Sequence, residues 1–311
     1  MINSIQNYTL MQSINSLSFA PAVNDWLANS RHPRILHVFD HACNLINERR
    51  EVLSIVTPQI GNGPFNLVIE SDVLFSEYIN VETSISISDN QLTLGDLTLL
   101  TTDAKLWNPC PDWEVLHAKR DDILNQLISL PISNYLKRGF DTPFDDHSGL
   151  LNHQHFLIAQ SQIPNLRFSN SLISALTIAD LPSALTAAQK LAGLGQGLTP
   201  AGDDFILGAI LATWIIHPIE VARVLAKEIT NTAAPLTTSL SAAYLKSAGR
   251  GEAGILWHNF FNALSAGDSS AIQLQISKLL SIGETSGADA LAGFIGTFIS
   301  YAESEDKLCH S

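Results

Sequence analysis

The stretch Gly193-Leu194-Gly195-Gln196-Gly197-Leu198-Thr199-Pro200-Ala201-Gly202-Asp203-Asp204 lies between two helical patterns. Its glycines free the backbone for positive φ and leave no Cβ in the way of a ligand. Thr199 reads as an N-cap and Pro200 as the first helical residue. The run that follows, Phe205 to Trp214, is apolar on every side, which predicts a buried helix. A glycine loop feeding a helix N-terminus is a physical recipe for an anion site, because unpaired N–H groups and the positive end of the helix dipole meet there. The spacing matches neither the dinucleotide fingerprint nor the P-loop, which ends in Gly-Lys-Ser/Thr. The competing reading is a tight helix connection whose glycines serve packing. Asp203 and Asp204 bear on the choice. Successive helical residues lie roughly 100° apart, so the two carboxylates cannot share one solvent face, and one of them is expected to face a polar cavity.

Working outward, the first third of the chain reads as β. Arg34–Phe39, Val52–Thr57, Phe65–Ile69, Val81–Ser88, Gln91–Leu94 and Leu97–Leu100 are short and rich in apolar or β-branched residues, with turn residues between them. Strands so closely spaced favour an antiparallel sandwich or barrel over a parallel sheet with crossover helices. The character changes at Asn108-Pro109-Cys110-Pro111, and a helical pattern runs from Trp113 to Leu130. Residues 138–155 are polar and irregular, with His147, His153 and His155 read as solvent-exposed rather than as metal ligands. Helical patterns fill the second half. The expectation is an α+β chain: a β-rich N-terminal domain over 1–130, a linker over 131–165, and a helical domain over 166–311.

Composition narrows the function classes. The chain has 311 residues, 15% of them charged, and a formal charge of −13. It carries no basic run, which argues against nucleic acid or an anionic membrane as partner. Low surface charge suggests a face covered by another protein. Its 3 cysteines form no CxxC, and neither a signal peptide nor a bilayer-length apolar run is legible, so a soluble cytoplasmic protein is expected.

Two further polar islands stand in the helical half. One is Thr237-Thr238-Ser239, with Gly249-Arg250-Gly251-Glu252 a helix later. Gly249 reads as the left-handed residue ending that helix. Arg250 then reads either as a two-pronged carboxylate or phosphate clamp, or as a dipole partner paired with Glu252. The other island is Ile282-Gly283-Glu284-Thr285-Ser286-Gly287-Ala288-Asp289. There Ser286 and Asp289 fit a capping box, and Thr237 and Thr238 fit N-caps.

In order and spacing, these three islands resemble the AllH family, tied to oxamate carbamoyltransferase in allantoin catabolism. The resemblance implies an enzyme subunit working with companion subunits, one of them FdrA-like, that interconverts oxalurate plus phosphate with oxamate plus carbamoyl phosphate. The residues suit such anions. Gly195, Gly197, Leu198 and Thr199 are candidate phosphate ligands, with Thr237, Thr238, Ser286, Gly287 and Asp289 beside them. Arg250 is a candidate for the substrate carboxylate, and Asp203 and Asp204 for general base or for holding Mg²⁺. Two alternatives stand beside this reading: a non-catalytic structural or regulatory subunit, and a magnesium-dependent nucleotide or acyl-phosphate binding protein.

Overall fold

The computed structural model describes residues 12–129 and 164–309. The chain forms two compact units, Met1–Pro109 and Cys110–Ser311.

The first unit is a barrel-like sheet. Its strands are β1 (Gln12–Phe19), β2 (Arg34–Val38), β3 (Ala42–Ile46), β4 (Val52–Val56), β5 (Asn66–Ile69), β6 (Ile85–Ser88), β7 (Gln91–Leu94), β8 (Leu97–Leu100) and β9 (Lys105–Leu106). They follow the order β2-β3-β4-β5-β1-β8-β7-β6, with β9 also beside β1. Most pairs are antiparallel as expected, but β4–β5, β1–β8 and β1–β9 are parallel. Strand β1 is the keystone. It pairs with β8 through Gln12–Asn15 and with β5 through Ser16–Phe19, and an irregularity in register falls between Ser16 and Ser18. The bend that such an irregularity gives a strand lets β1 join the two halves of the sheet. The alternating side chains Cys43, Leu45, Leu53, Ile55, Leu67 and Ile69 line one face and form the core with Leu92, Leu94 and Leu99. Helix α1 (Pro21–Asn29) adds Val23 and Trp26 to that core, and the Trp26 indole N–H donates to the Glu51 carbonyl at 2.9 Å. A single turn, α2 (Phe75–Tyr78), adds the fully buried Phe75.

The second unit is helical. It comprises α3 (Trp113–Ala118), α4 (Arg120–Ser129), α5 (Pro164–Thr177), α6 (Leu181–Leu191), α7 (Ala201–Ile216), α8 (Ile219–Ala233), α9 (Ser239–Gly249), α10 (Ile255–Ala266), α11 (Ser269–Leu280) and α12 (Ser286–Cys309). Helix α7 is the hub: every residue in it except Ala201 and Leu207 is buried. It crosses α12 at backbone contact. A Cβ on Gly208 would collide with the Ala290 carbonyl, and one on Gly293 with the Phe205 carbonyl. Aromatic rings of α10 and α12 (Trp257, Phe260, Phe261, Phe294) pack at centroid separations of 5.5–6.1 Å around this crossing.

The division falls after Pro109, ahead of the helical stretch that the sequence reading places in a first domain ending at 130. The physical reason is packing. Trp113, Leu116, Ile123 and Leu127 belong to the helical core. The Trp113 ring stacks on Trp214 at 5.8 Å, and its indole N–H donates to the Gly251 carbonyl at 2.8 Å. The expected linker over 131–165, with His147, His153 and His155, lies outside the described residues apart from its last two positions, which open α5. No helix among the described residues is long and apolar enough to cross a membrane.

Candidate functional site

Three helix N-termini meet at the glycine loop. Helix α7 follows it directly. Helix α9 reaches it through Thr238, whose hydroxyl donates to the Leu198 carbonyl at 2.6 Å while accepting from the Ser241 amide at 3.1 Å as N-cap. Helix α12 reaches it through Ser286, whose hydroxyl lies 2.8 Å from that of Thr199. The three islands are thus one place. Their convergence sums the positive ends of three dipoles over a loop that carries no Cβ at positions 195 and 197.

The loop has the strained geometry that its glycines permit. Gly193, Gly195 and Gly197 have φ of 72°, 124° and 92°. At Gly195 a Cβ would sit 2.8 Å from the Ala201 nitrogen, against the first amide of α7; at Gly197 it would meet open space. Among the described residues no protein acceptor is found for the amides of Gly195, Gly197, Leu198 and Ala201. Gly195, Gln196, Gly197 and Leu198 are exposed.

The start of α7 differs by one residue from expectation. Pro200 is the N-cap residue, without a side-chain cap, and its carbonyl accepts from the amides of Asp203 at 2.9 Å and Asp204 at 3.2 Å. The Thr199 hydroxyl is therefore released from capping and turns to Ser286. A similar shift occurs at α12. Ser286 is already helical, and the Thr285 carbonyl accepts from the Asp289 amide at 2.9 Å.

Asp203 and Asp204 point to different partners, as their angular separation requires. Asp203 is 1% exposed. It accepts from the Gly193 amide at 2.9 Å and from the Thr237 hydroxyl, and Ser241 also reaches it. These bonds tie the loop to the α9 entry. Burial raises the Asp203 pKa against the opposing effect of those donors. Asp204 is 9% exposed, and its Oδ2 has no hydrogen-bond partner. Burial pushes its pKa up to about 8; the charges of Asp289 and Asp203 add to the rise, while the hydroxyls of Ser286 and Thr199 oppose it. A rise of this kind favours the protonated form of the carboxyl.

Two residues that the sequence reading passes over, Ser241 and Tyr244, complete the surroundings. Burial pushes the Tyr244 phenol up to about 12, and Asp204 adds to that shift. A signal for both was present: Thr238, Ser241 and Tyr244 recur every three residues and so share one face of α9.

Arg250 is not brought to this place. It caps the far end of α9, an 11-residue helix whose ends lie about 16 Å apart. Its Nε and Nη2 donate to the two Glu252 carboxylate oxygens at 3.0 and 2.6 Å, and Nη2 also donates to the Ser247 hydroxyl at 3.2 Å. The left-handed residue of that turn is Gly251 (φ 78°), while Gly249 packs against Thr230. Gly287 serves packing, since a Cβ there would strike the Leu279 carbonyl. No group of three or more His, Cys, Asp or Glu side chains among the described residues is arranged to hold a metal ion.

The chain is thus a two-part protein, a barrel-like β unit followed by a helical unit in which three motif islands gather at a glycine loop. Residues 15–106 match the AllH family N-terminal domain, and residues 191–298 match the family described as oxamate carbamoyltransferase subunit AllH. The chain belongs to the AllH family. No solved structure matches it.

Proposed function

We propose that this chain is the subunit of an oxamate carbamoyltransferase in allantoin catabolism that binds phosphate at the glycine loop and handles a proton through Asp204. The observation that carries the reading is the convergence of three helix N-termini and open loop amides beside the buried Asp204 carboxyl, whose pKa burial raises. A negatively charged Asp204 would repel phosphate at the same helix end; a neutral one does not.

The reaction would run as follows. The amides of Gly195, Gly197, Leu198 and Ala201 hold hydrogen phosphate. A phosphate oxygen attacks the terminal carbamoyl carbon of oxalurate, and the bond from that carbon to the oxamate nitrogen breaks. The departing nitrogen takes the Asp204 proton, and the Asp204 carboxylate takes the proton carried by the attacking phosphate. Oxamate and dianionic carbamoyl phosphate result, with Asp204 restored. A group with pKa near the working pH is suited to give and take a proton in both directions. Asp203, already satisfied by Gly193 and Thr237, shapes the loop rather than reacting. Arg250 takes no part in this reading, because Glu252 engages it.

The test is oxalurate phosphorolysis followed by ³¹P NMR, with the chain alone and then with its FdrA-like companion subunits. Turnover that falls by about 10²- to 10⁴-fold in Asp204→Asn, the range for loss of a general acid–base, supports the reading. Undiminished turnover in that variant overturns it.

A further inference from the structure

The proposed chemistry asks for a carboxyl held still beside the glycine loop, and two hydroxyls from different islands are placed to hold it. Thr199 closes the loop and is half-buried; Pro200 takes the N-cap position of α7, which leaves the Thr199 hydroxyl for other partners. Ser286, also half-buried, opens α12. Their hydroxyl oxygens lie 2.8 Å apart, and either can be the donor. Both hydroxyls also hydrogen-bond the side chain of Asp204, in the first turn of α7. Loop, α7 and α12 are thus joined at three side chains.

The two oxygens of that carboxyl are not equivalent. Oδ2 is buried and has no hydrogen-bond partner. The bonds from Ser286 and Thr199 therefore fall on Oδ1. A carboxyl fixed through one oxygen on a buried helix has one orientation, and its second oxygen keeps its hydrogen-bonding capacity for another group. Hydroxyls suit this post. Each gives one proton and accepts on two lone pairs, so the pair can serve both the protonated and the ionised carboxyl. A cation in the same place would hold the carboxyl ionised. Asp289 of α12 and Asp203 of α7 act on Asp204 through charge, and the charge of Asp204 acts in turn on Tyr244 of α9.

We propose that Thr199 and Ser286 are positioning residues for Asp204: their paired hydroxyls hold one of its oxygens and so fix the other in register with an anion held on the loop. The purpose of this arrangement rests on the carbamoyl-transfer reading; the arrangement itself does not. Thr199 directly follows Gly197 and Leu198, whose amides face the anion. One side chain therefore ties the place of the anion to the place of the carboxyl, and Ser286 anchors that side chain to α12.

The experiment is a carboxyl ¹³C NMR titration of the full chain labelled at aspartate, with the Asp204 signal assigned by Asp204→Asn. It compares the wild type with Thr199→Val, Thr199→Ser, Ser286→Ala and Ser286→Thr. Loss of a hydroxyl that donates to the carboxylate raises the midpoint. In Thr199→Val and Ser286→Ala the proton affinity of Asp204 is expected to rise at least about threefold. Thr199→Ser and Ser286→Thr, which keep the hydroxyl, are expected to return it toward the wild-type value. An Asp204 midpoint unchanged in the folded variants overturns the proposal. Thr199→Val keeps the shape of the side chain and decides the matter should Ser286→Ala not fold. The second readout is oxalurate phosphorolysis. In the same two variants kcat is expected to fall roughly tenfold or more, as for a misplaced reacting group, with KM for phosphate close to the wild-type value. A shifted midpoint with unchanged kcat also overturns the positioning role. A wild-type chain that fails to turn over oxalurate refutes the carbamoyl-transfer reading, and the titration then decides the hydroxyl arrangement by itself.

Discussion

At the scale of single residues, Asp203 and Asp204 are neighbours with opposite duties. Asp203 is a buried acceptor that holds Gly193 and Thr237 in place. Asp203→Asn puts an NH₂ in place of one of the oxygens that accept from Gly193 and Thr237, and a loss of about 1–3 kcal/mol of stability is expected, read by denaturant unfolding. Asp204 has fewer donors, and burial raises its pKa further. Between the ordinary carboxylate range and about 8 the folded chain binds this proton and the unfolded chain does not. The unfolded state thus binds fewer protons, and this group's contribution to stability declines as pH rises through that window. Thermal unfolding from about pH 5 to pH 9 is expected to show a decline that flattens in Asp204→Asn, with Asp203 contributing in the same direction. Gly195→Ala adds a Cβ against the Ala201 amide at an unfavourable φ. Phosphate binding by calorimetry is expected to weaken roughly tenfold, or about 1.4 kcal/mol, whereas Arg250→Ala is expected to leave it unchanged.

At the scale of elements, the site exists because helices α7 and α12 can touch backbone to backbone. Gly208→Ala and Gly293→Ala each force a methyl into a facing carbonyl. A cost of about 1–3 kcal/mol or more is expected for overpacking a tight crossing, with phosphate affinity falling in parallel because Ser286 and Asp289 are displaced from Thr199 and Asp204. Much of this level was legible. The buried α7, the Thr238 cap, and the helical character of the second half were readable from periodicity and capping residues. Strand β1 was not: Ser13, Asn15, Ser16 and Ser18 have low strand propensity, and only its position between β5 and β8 makes it a strand. Local pattern around Ser286 cannot anticipate that its hydroxyl meets Thr199, far away in sequence.

At the scale of the molecule, the division after Pro109 follows from where Trp113, Leu116, Ile123 and Leu127 find partners. Their helical pattern gave their secondary structure and not their allegiance. The acidic balance of the chain, with 30 acidic and 17 basic residues, makes a general electrostatic capture of phosphate unfavourable. Anion binding here must come from oriented amides over short range. Phosphate affinity is therefore expected to depend only weakly on ionic strength between about 50 and 300 mM, since screening acts mainly on distant charges; calorimetry across that range measures it.

The sequence by itself determined the family, the α+β order of the chain, the glycine loop, and the three islands that carry the polar residues. These depend on local chemistry: backbone freedom, periodicity, and the residue types that begin helices. Only the tertiary structure decided which islands meet. It joined Thr199 to Ser286, Thr238 to Leu198, and Thr237 to Asp203, and it left Arg250 at the other end of α9 with Glu252. It also raised the pKa of Asp204. That property arises from burial and from a second carboxyl contributed by a helix about 85 residues further along the chain, held close by two glycines.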